Sequence, residues 1–512
     1  MRTKCNSSLL TSQQLKQIQA HITTTLKPNQ LNSLLRTLTL TKHPKNALLL
    51  FNQMYQKPTT HDHFSYTYSL KTCSILHEFQ KGCEIHACSV KSGHGSDTFI
   101  QNSLIRFYSD FGDVLSARRA FDDMSSANIV SWTTIIQGLV KNGYEEEALE
   151  VFRSIDCSPN SMTLVTVLSA CSVLRTVNLG KSVHCYSIRN SVGDDNIWVD
   201  NALLNFYSEC MCPVTARNLF ESMLSRDVIS WTTMISGYAK AMFYDDAISY
   251  FHMMIQGGET RPNDAALVTM LSVCVSVGSS SLGQWVHSYM EGRHDLIGGY
   301  SHLWNALLDM YVKFGNMEMA IKVFKGLRCK DLFSWTIMIN GMAKNGQGKQ
   351  AMQLFSFMLI NGFRPDSVTF LSLLSACSHG GFVKEGFVFF KAMKDIYKII
   401  PDMQHYACIV DMYGRAGLLH EAEAFVREMP VAPNGSVLSA LLNAYKIHGD
   451  SEMCDRIGQI IITTRGASLG SLRALANIYA SVNRWSDAKN VEDMIRCIGV
   501  KKTPGCSWVE VH

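Results

Sequence analysis

Three junctions along the chain place a carboxyl or carboxamide side chain five residues before a threonine, with an apolar run between them. They occupy residues 128–133, 227–232 and 331–336, and each contains Ser-Trp-Thr. Their tryptophans lie 99 and 104 residues apart. Asn, Asp and Thr side chains can donate or accept hydrogen bonds in defined directions. Their return about every hundred residues predicts an array of repeated units that position these polar groups.

The sequence contains no comparably regular pattern for metal binding or nucleophilic catalysis. A zinc nucleobase deaminase needs His-x-Glu and Pro-Cys-x-x-Cys to hold the metal and move a proton, and neither pattern occurs in these residues. Cys83, His86 and Cys88 have metal-ligand types, but they fall in one predicted helix. The matching histidines, His184 and His287, have no cysteines at the same places. We therefore expect these side chains to pack in a core, with no catalytic residue, no metal and no cofactor.

Composition excludes several broad classes of protein. The chain has 512 residues, is 46% hydrophobic and carries a net charge of only +4, which excludes global disorder and gives no strong electrostatic sign of nucleic-acid binding. No apolar run is long enough to predict a membrane span. Four of the 16 cysteines recur at the repeat spacing, at Cys73, Cys171, Cys274 and Cys377. This pattern favours reduced, buried thiols over a disulfide framework.

The amino-terminal stretch differs from the rest of the chain. Residues 1–61 contain no Asp or Glu but eight Lys or Arg, with frequent Ser and Thr. This bias is typical of an organelle transit peptide, although arginine is scarce for one. The alternative is an acid-poor first repeat. We predict a targeting segment and degenerate start in residues 1–27, addressed to the mitochondrion or, alternatively, the chloroplast.

Each predicted unit is a pair of helices. An Ala-x3-Phe-x2-Met pattern occurs at Ala117, Ala216, Ala247 and Ala351, and its first half also occurs at Ala148 and Ala320. Spacings of four and seven residues put these side chains on one helical face. A second periodic segment precedes each pattern. Gly112, Gly143, Gly315, Gly346 and Gly417 mark turns between such segments, which is typical of a helix end.

The second helix of many units is followed by proline and then Asn or Asp. The five copies are Pro159-Asn160, Pro262-Asn263, Pro365-Asp366, Pro401-Asp402 and Pro433-Asn434. Proline stops the helix, and the residue after it can cap the next one.

Three kinds of unit alternate. One carries Ser-Trp-Thr, a longer one usually carries Gly-x3-His, and a short one carries Asn-Ala-Leu-Leu followed by Tyr. The predicted units are 28–62, 63–97, 98–128, 129–160, 161–196, 197–227, 228–263, 264–300, 301–331, 332–366, 367–402 and 403–434. We number these ranges repeats 1 to 12. Because a helix pair cannot bury its apolar face alone, stacking is expected to give an all-α, superhelical α-solenoid.

The unit resembles a pentatricopeptide repeat, and this resemblance implies a right-handed superhelical α-solenoid. Its length, the triplet order and the junction residues are similar to those of the plant organellar class that acts in RNA editing, with standard, long and short repeats. The resemblance covers residues 28–434 and continues beyond them. The tetratricopeptide repeat shares Ala-x3-Phe, but its Trp-x2-Leu-Gly-x2-Tyr opening is missing here.

The resemblance implies that one unit reads one base of single-stranded RNA through its fifth and last residues. The implied pairings are Asn32 with Asp62 for uracil, Asn102 with Asn128 for a pyrimidine, Thr133 with Asn160 for adenine, Asn201 with Asp227 for uracil, Thr232 with Asn263 for adenine, Asn305 with Asp331 for uracil, and Thr336 with Asp366 for guanine. The implied register, 5′ to 3′, is U-x-Y-A-x-U-A-x-U-G-x-x. The alternative for each polar residue is a simple helix cap.

Several units depart from the pattern. The long repeats have Val165, Val268 and Leu371 at the fifth place, which cannot hydrogen-bond a base. The first long repeat has Thr67 with Asp97, and the last short repeat has Ala407 with Asn434. Repeat 4 is about three residues short, which weakens the prediction for Asn160.

Two further apolar places belong to each junction. The second residue of a unit, such as Val130, Ile229 or Phe333, could wedge between bases or lie in the core. Trp335 is expected to pack beside the reading residues rather than to stack on a base.

Beyond residue 434 the chain resembles the E motifs of the same family. Residues 441–450 resemble the first motif, and Asn477-Ile478-Tyr479 with Arg484-Trp485 resembles the second. The tail 504–511 is expected to close the region 435–512. In relatives a DYW cytidine deaminase domain often follows, and none is expected here.

The implied function is site recognition for C-to-U RNA editing in an organelle, without enzymatic activity. The expected partners are organellar single-stranded RNA, a cytidine deaminase acting in trans and editing accessory factors, with no membrane. The alternatives are an RNA stability, splicing or translation factor, or a protein-binding helical-repeat scaffold.

Overall fold

The structure is a computed structural model that describes residues 28–40, 44–55, 62–192, 196–258, 260–293, 301–448, 456–458, 469–481 and 484–497. The predicted targeting segment 1–27 and the tail 504–511 lie outside these residues. All regular structure in the described ranges is helical, without a strand. This confirms the predicted all-α fold of helix–turn–helix repeats. None of the described helices combines the length and apolar character needed to cross a membrane.

The chain divides into two compact units, residues 1–261 and 262–512. In the first unit, each predicted repeat contains two helices. The first helices are Pro28–Leu40, His63–Leu76, Thr98–Asp110, Ile129–Lys141, Ser161–Leu174, Ile197–Glu209 and Val228–Lys240. The second helices are Pro44–Tyr55, Phe79–Lys91, Val114–Asp122, Glu145–Arg153, Val177–Arg189, Pro213–Ser222 and Tyr244–Gly257. Each first helix packs on its own second helix, and the first six of them also pack on the first helix of the next repeat.

The second unit repeats this arrangement. Its first helices are Asp264–Val277, Ser301–Lys313, Leu332–Lys344, Ser367–Gly380 and Met403–Arg415. Its second helices are Ser280–Glu291, Met317–Gly326, Gly348–Ile360, Val383–Asp395 and Leu419–Arg427. Three further helices follow in the region that resembles the E motifs, at Gly435–Ile447, Leu469–Ser481 and Trp485–Cys497.

The predicted core pattern is present in both units. The alanines of the Ala-x3-Phe pattern are almost fully buried, as are Phe220, Phe251 and Phe355. The small alanine lets a neighbouring helix approach, and the ring fills the space beside it. The turn glycines Gly112 and Gly143 both have φ of +80°, a left-handed backbone conformation that residues other than glycine rarely adopt. This conformation explains why glycine ends the first helices there.

The recurring cysteines lie in this core as thiols. Cys73, Cys171, Cys274 and Cys377 are buried and unpaired by disulfides. Burial raises the pKa of Cys73, Cys274 and Cys377 to about 12. They are therefore protonated, apolar packing groups at neutral pH.

Candidate nucleic-acid interface

In the described residues, the last residue of eleven of the twelve predicted repeats caps the helix that follows it. The side chain accepts a backbone N–H from two or three residues further on, and the cap itself is extended. This holds for Asp62, Asp97, Asn128, Asn160, Asn196, Asp227, Asn263, Asp331, Asp366, Asp402 and Asn434. Such a cap contributes about 1 kcal/mol. The capping role noted as an alternative from the sequence is therefore present at these positions.

The three predicted Asn–Asp pairs are in direct contact. The Nδ2 of Asn32 donates to both carboxylate oxygens of Asp62, at 2.9 and 2.8 Å. Asn305 does the same toward Asp331, at 3.1 and 2.9 Å. Asn201 donates to one oxygen of Asp227, at 3.2 Å. Each of these pairs therefore joins the fifth residue of one repeat to the helix cap that ends it.

Two predicted threonine pairs are joined through a third hydroxyl. Thr133 contacts Thr163 at 2.7 Å between their Oγ1 atoms, and Thr163 donates to Asn160 at 2.9 Å. Thr336 contacts Thr369 at 3.0 Å, and Thr369 donates to Asp366 at 2.7 Å. The short length of repeat 4 does not alter this arrangement around Asn160.

The other predicted pairs differ. Asn102 makes no bond to Asn128, and its buried Oδ1 has no hydrogen-bond partner among the described residues. Thr232 lies in the first compact unit and Asn263 in the second. Thr232 donates to the carbonyl of Val228 in its own helix, at 2.6 Å.

No sequence-based prediction singled out the hydroxyls that touch these pairs. They are the third residues of the following repeats, and three of them are the serine of Ser-Trp-Thr. The six are Ser65, Ser131, Thr163, Ser230, Ser334 and Thr369. For Ser131, Ser230 and Ser334, the recurrence of serine directly before tryptophan was a signal that could have identified them.

Local hydrogen bonds lower the pKa of Asp227, the carboxylate of the pair in repeat 6. Partial burial alone would raise the pKa of Asp227. Bonds from the backbone and hydroxyl of Ser230 and from the amide of Asn201 outweigh it, so the pKa lies below its ordinary value. Asp227 is therefore an ionised hydrogen-bond acceptor at neutral pH.

The second residues of the repeats are exposed rather than buried in the core. They include Phe64, Phe99, Val130, Met162, Trp198, Ile229, Phe333 and Val368, and their exposed fractions run from 42% to 71%. The idea that they are ordinary core residues is therefore wrong. These apolar side chains are available to contact a base.

The junction tryptophans pack inside, as predicted for Trp335. This side chain is 5% exposed, and its ring meets Phe324 edge-on with centroids 4.9 Å apart. Trp132 with Phe121 and Trp231 with Phe220 repeat the contact at 4.8 Å. The tryptophan thus joins two repeats by packing on the phenylalanine of the previous one.

The long repeats offer little to a base. Val165, Val268 and Leu371 are half-buried at the fifth place. Thr67 donates to the carbonyl of Phe64, at 3.0 Å. Among the described residues of these repeats, no hydrogen-bonding pair of the kind described above forms.

The histidines of Gly-x3-His join neighbouring repeats. The Nδ1 atoms of His86, His184 and His287 lie 2.7 to 2.9 Å from the hydroxyls of Tyr108, Tyr207 and Tyr311. Burial lowers the pKa of all three histidines. The part of the chain that the structure describes contains no cluster of three or more His, Cys, Asp or Glu suited to a metal. A packing role fits His86 and its two counterparts.

Known protein families match most of the repeat array. The PPR repeat model matches residues 102–129, 130–158, 229–259, 302–332, 368–396 and 405–432, and a PPR repeat family model matches 330–379. The E motif model matches residues 448–510.

Similar proteins span most of the chain. A chloroplastic pentatricopeptide repeat-containing protein of Arabidopsis thaliana is 34% identical, over 95% of this chain and 70% of its own. A mitochondrial one from the same plant is also 34% identical, over 91% of this chain and 84% of its own. The crystal structure of the pentatricopeptide repeat protein PPR10 from maize shares the fold, with a TM-score of 0.56 at 16% identity, over 92% of this chain and 74% of that one. The chain belongs to the pentatricopeptide repeat family and carries an E motif.

Proposed function

We propose that this protein binds single-stranded RNA of an organelle, with one repeat reading one base. The observation that supports the proposal is a recurring hydrogen-bonded pair. The fifth and last residues of a repeat are linked directly or through one hydroxyl, and an exposed apolar second residue lies beside them. Two polar groups held at a fixed separation can read the edge of an unstacked base, while the apolar side chain contacts its face. The twelve helix pairs from 28 to 434 form the reading array.

The chemistry of the pairs matches the implied bases. An Asn amide beside an Asp carboxylate offers a donor and an acceptor, which suits the carbonyl and ring N–H of uracil. Thr beside Asp offers acceptors for the two N–H groups of guanine, and Thr beside Asn suits adenine. The proposed RNA is therefore U-x-Y-A-x-U-A-x-U-G-x-x, and repeats 2, 5, 8, 11 and 12 leave their bases unspecified.

We further propose that bound RNA is marked for C-to-U editing. The E motif supports this proposal, since in the family it accompanies editing factors. In this proposal, a cytidine deaminase and accessory proteins act in trans. The edited cytidine would lie a few nucleotides 3′ of the bases read by the repeats.

RNA recognition is tested with the proposed 12-nucleotide RNA and a scrambled RNA of equal composition. Tighter binding of the proposed sequence in a gel-shift assay is the expected result. Equal affinity for both RNAs would contradict base reading, and failure to bind either RNA would favour a protein-binding scaffold.

Editing is tested by sequencing organellar transcripts from a loss-of-function line and from the same line complemented with the full chain. The expected result is one C-to-U site that is lost and then restored. Loss of a whole transcript, or of its splicing, would instead support a stability or splicing factor.

We propose the mitochondrion as the site of action, with the chloroplast as the alternative. Similar proteins carry either address in their names. Imaging of a carboxy-terminal fluorescent fusion against markers of both organelles separates the two. A signal confined to the cytosol would contradict both.

A further inference from the structure

One class of buried polar side chain touches the reading pairs without belonging to them. These are the third residues of the repeats that follow, Ser65, Ser131, Thr163, Ser230, Ser334 and Thr369, and each side chain is fully buried. A buried hydroxyl is costly unless it is hydrogen-bonded. The bonds that these hydroxyls make therefore constrain the side chains around them.

At two Asn–Asp pairs, the serine holds the amide oxygen. Ser65 donates to Oδ1 of Asn32 at 2.7 Å. Ser230 donates to Oδ1 of Asn201, also at 2.7 Å, which is the shorter of its two donor contacts. Because a carboxylate accepts but does not donate, the amide nitrogen must face the Asp while the amide oxygen faces the serine. At Asn305 the arrangement differs, since the Ser334 hydroxyl donates to the Asp331 carbonyl at 2.8 Å.

The consequence is a fixed polarity at the pair in repeat 6. One N–H of Asn201 is used by Asp227, and the amide oxygen is used by Ser230, so the remaining group is the second N–H. The pair therefore presents one donor beside a carboxylate acceptor. A rotated amide would instead present an acceptor beside an acceptor, which no longer matches the carbonyl and N–H of uracil.

The threonine pair in repeat 10 follows the same logic. Asp366 can only accept, so the single proton of Thr369 is directed to it. Thr369 then accepts the proton of Thr336, and the Thr336 lone pairs remain free. Two acceptors result, and these match the N1–H and N2–H donors of guanine.

The distribution of the hydroxyl along the chain fits this role. It follows repeats 1, 3, 4, 6, 9 and 10, all of which have predicted reading pairs. After the long repeats the same place holds Ile100, Val199, Leu303 and His405. After repeat 7 it holds Ala266, the one exception among the seven predicted pairs.

We propose that the third residue of the following repeat is a positioning residue that sets the hydrogen-bonding polarity of the preceding reading pair. The proposal rests on the proposed function, because polarity matters only if the pair reads a base. The specificity of a repeat would then depend on three residues, one of them contributed by its neighbour and never in contact with RNA.

The test uses the full chain with Ser230→Ala and Ser230→Thr, since Thr occupies the same place in repeats 5 and 11. Binding is measured with the proposed RNA and with versions carrying C at the base of repeat 6 or A at the base of repeat 10. Ser230→Ala should lower the preference for U over C about three- to tenfold, the effect of losing one hydrogen bond. Ser230→Thr should restore it, and the preference of repeat 10 for G should stay unchanged.

A matched control removes a buried hydroxyl from the helix that carries Asn201. Ser208→Ala should leave both preferences unchanged. If Ser230→Ala weakened all RNAs equally, or kept the full preference for U, the positioning role would be overturned while base reading stood. If the unaltered protein showed no preference at repeat 6, the proposed function would fail and the positioning role with it.

Discussion

Phe333 and Trp335 stand two residues apart at the start of one helix and have opposite environments. Phe333 is 71% exposed, whereas Trp335 is 5% exposed and packs on Phe324. Large aromatic side chains stabilise proteins when buried and nucleic-acid complexes when they stack on bases. We therefore expect Phe333 to contact RNA and Trp335 to contribute to stability.

Phe333→Ala should weaken RNA binding by about 1–3 kcal/mol, the value of one base–aromatic contact. It should leave thermal stability and base preference nearly unchanged, because the ring is exposed and makes no hydrogen bond. Fluorescence polarisation and a thermal melt measure the two effects.

Trp335→Ala is the matched control and should lower stability by about 3–5 kcal/mol. A large loss of stability in Phe333→Ala, or unchanged RNA affinity, would contradict the assignment.

Thr336→Asn should move the preference of repeat 10 from guanine toward uracil. The new amide beside Asp366 would offer a donor in place of a hydroxyl acceptor. Binding to RNAs that differ only at this base measures the change, and Asn305→Thr gives the reciprocal exchange at repeat 9. An unchanged preference in both variants would show that the assumed register is wrong.

At the scale of the helices, the second helix of a long repeat packs closely against the first helix of the next short repeat. A Cβ atom added at Gly180 would lie 2.0 Å from Cζ of Phe206, and one at Gly82 would lie 2.0 Å from Cζ of Phe107. Both rings are nearly fully buried and have little room to move. Glycine therefore sets the distance between these helices.

Gly180→Ala should lower the free energy of unfolding by about 1–3 kcal/mol through overpacking. Chemical denaturation measures the change. Gly326→Ala is the control, since that helical glycine has no atom within 4 Å of the added Cβ and should be neutral or stabilising by up to about 1 kcal/mol. Equal effects of both variants would contradict the role of close approach.

The three His–Tyr contacts should make stability depend on pH. Burial holds the pKa of His86, His184 and His287 below the ordinary 6.5, so the unfolded chain binds protons more readily. The stabilisation is fully present above about pH 6.5 and is lost as pH falls through the lower native values.

Thermal melts between pH 7.5 and 5 should show this decline, and the triple variant His86→Gln, His184→Gln and His287→Gln should flatten it. His379→Gln, at an exposed position, serves as the control. An equally steep decline in the triple variant would contradict the assignment.

The helical pairs, the buried Ala and Phe face, the glycine turns and the buried Trp335 all followed from the sequence, because each depends on local periodicity. His184 and Tyr207 belong to two recurring patterns of the sequence, yet the contact between them was not predicted. The role of Ser230 was not predicted either, since its bond to Asn201 joins residues 29 positions apart. Such contacts depend on how two helices are aligned, and single-sequence patterns do not specify that alignment.

At the scale of the whole molecule, charge is sparse and partly used internally. The net charge is +4. Lys141 pairs with Asp110 at 2.6 Å, and Lys240 pairs with Glu209. These exposed pairs add little stability, but they reduce the positive charge left for phosphates.

RNA affinity should therefore depend only moderately on salt. We expect a slope of log K against log salt on the order of −2 to −4, as for about three to five phosphate contacts. Binding measured from 50 to 300 mM KCl gives the slope. A much steeper value, equal for proposed and scrambled RNA, would indicate binding dominated by charge rather than by base reading.

The helix caps at the repeat ends restrict how such a protein can change its target. Asn and Asp are about equally good caps, and they differ only in that an NH2 group of Asn replaces one carboxylate oxygen of Asp. Replacing Asp by Asn therefore turns an outward acceptor into an outward donor, while the contribution of the cap to folding is retained. Variation between these two residues gives the lineage a route to new RNA sequences that natural selection for stability does not oppose. Most other residues at the same place would lose the cap, so few amino-acid types are tolerated there.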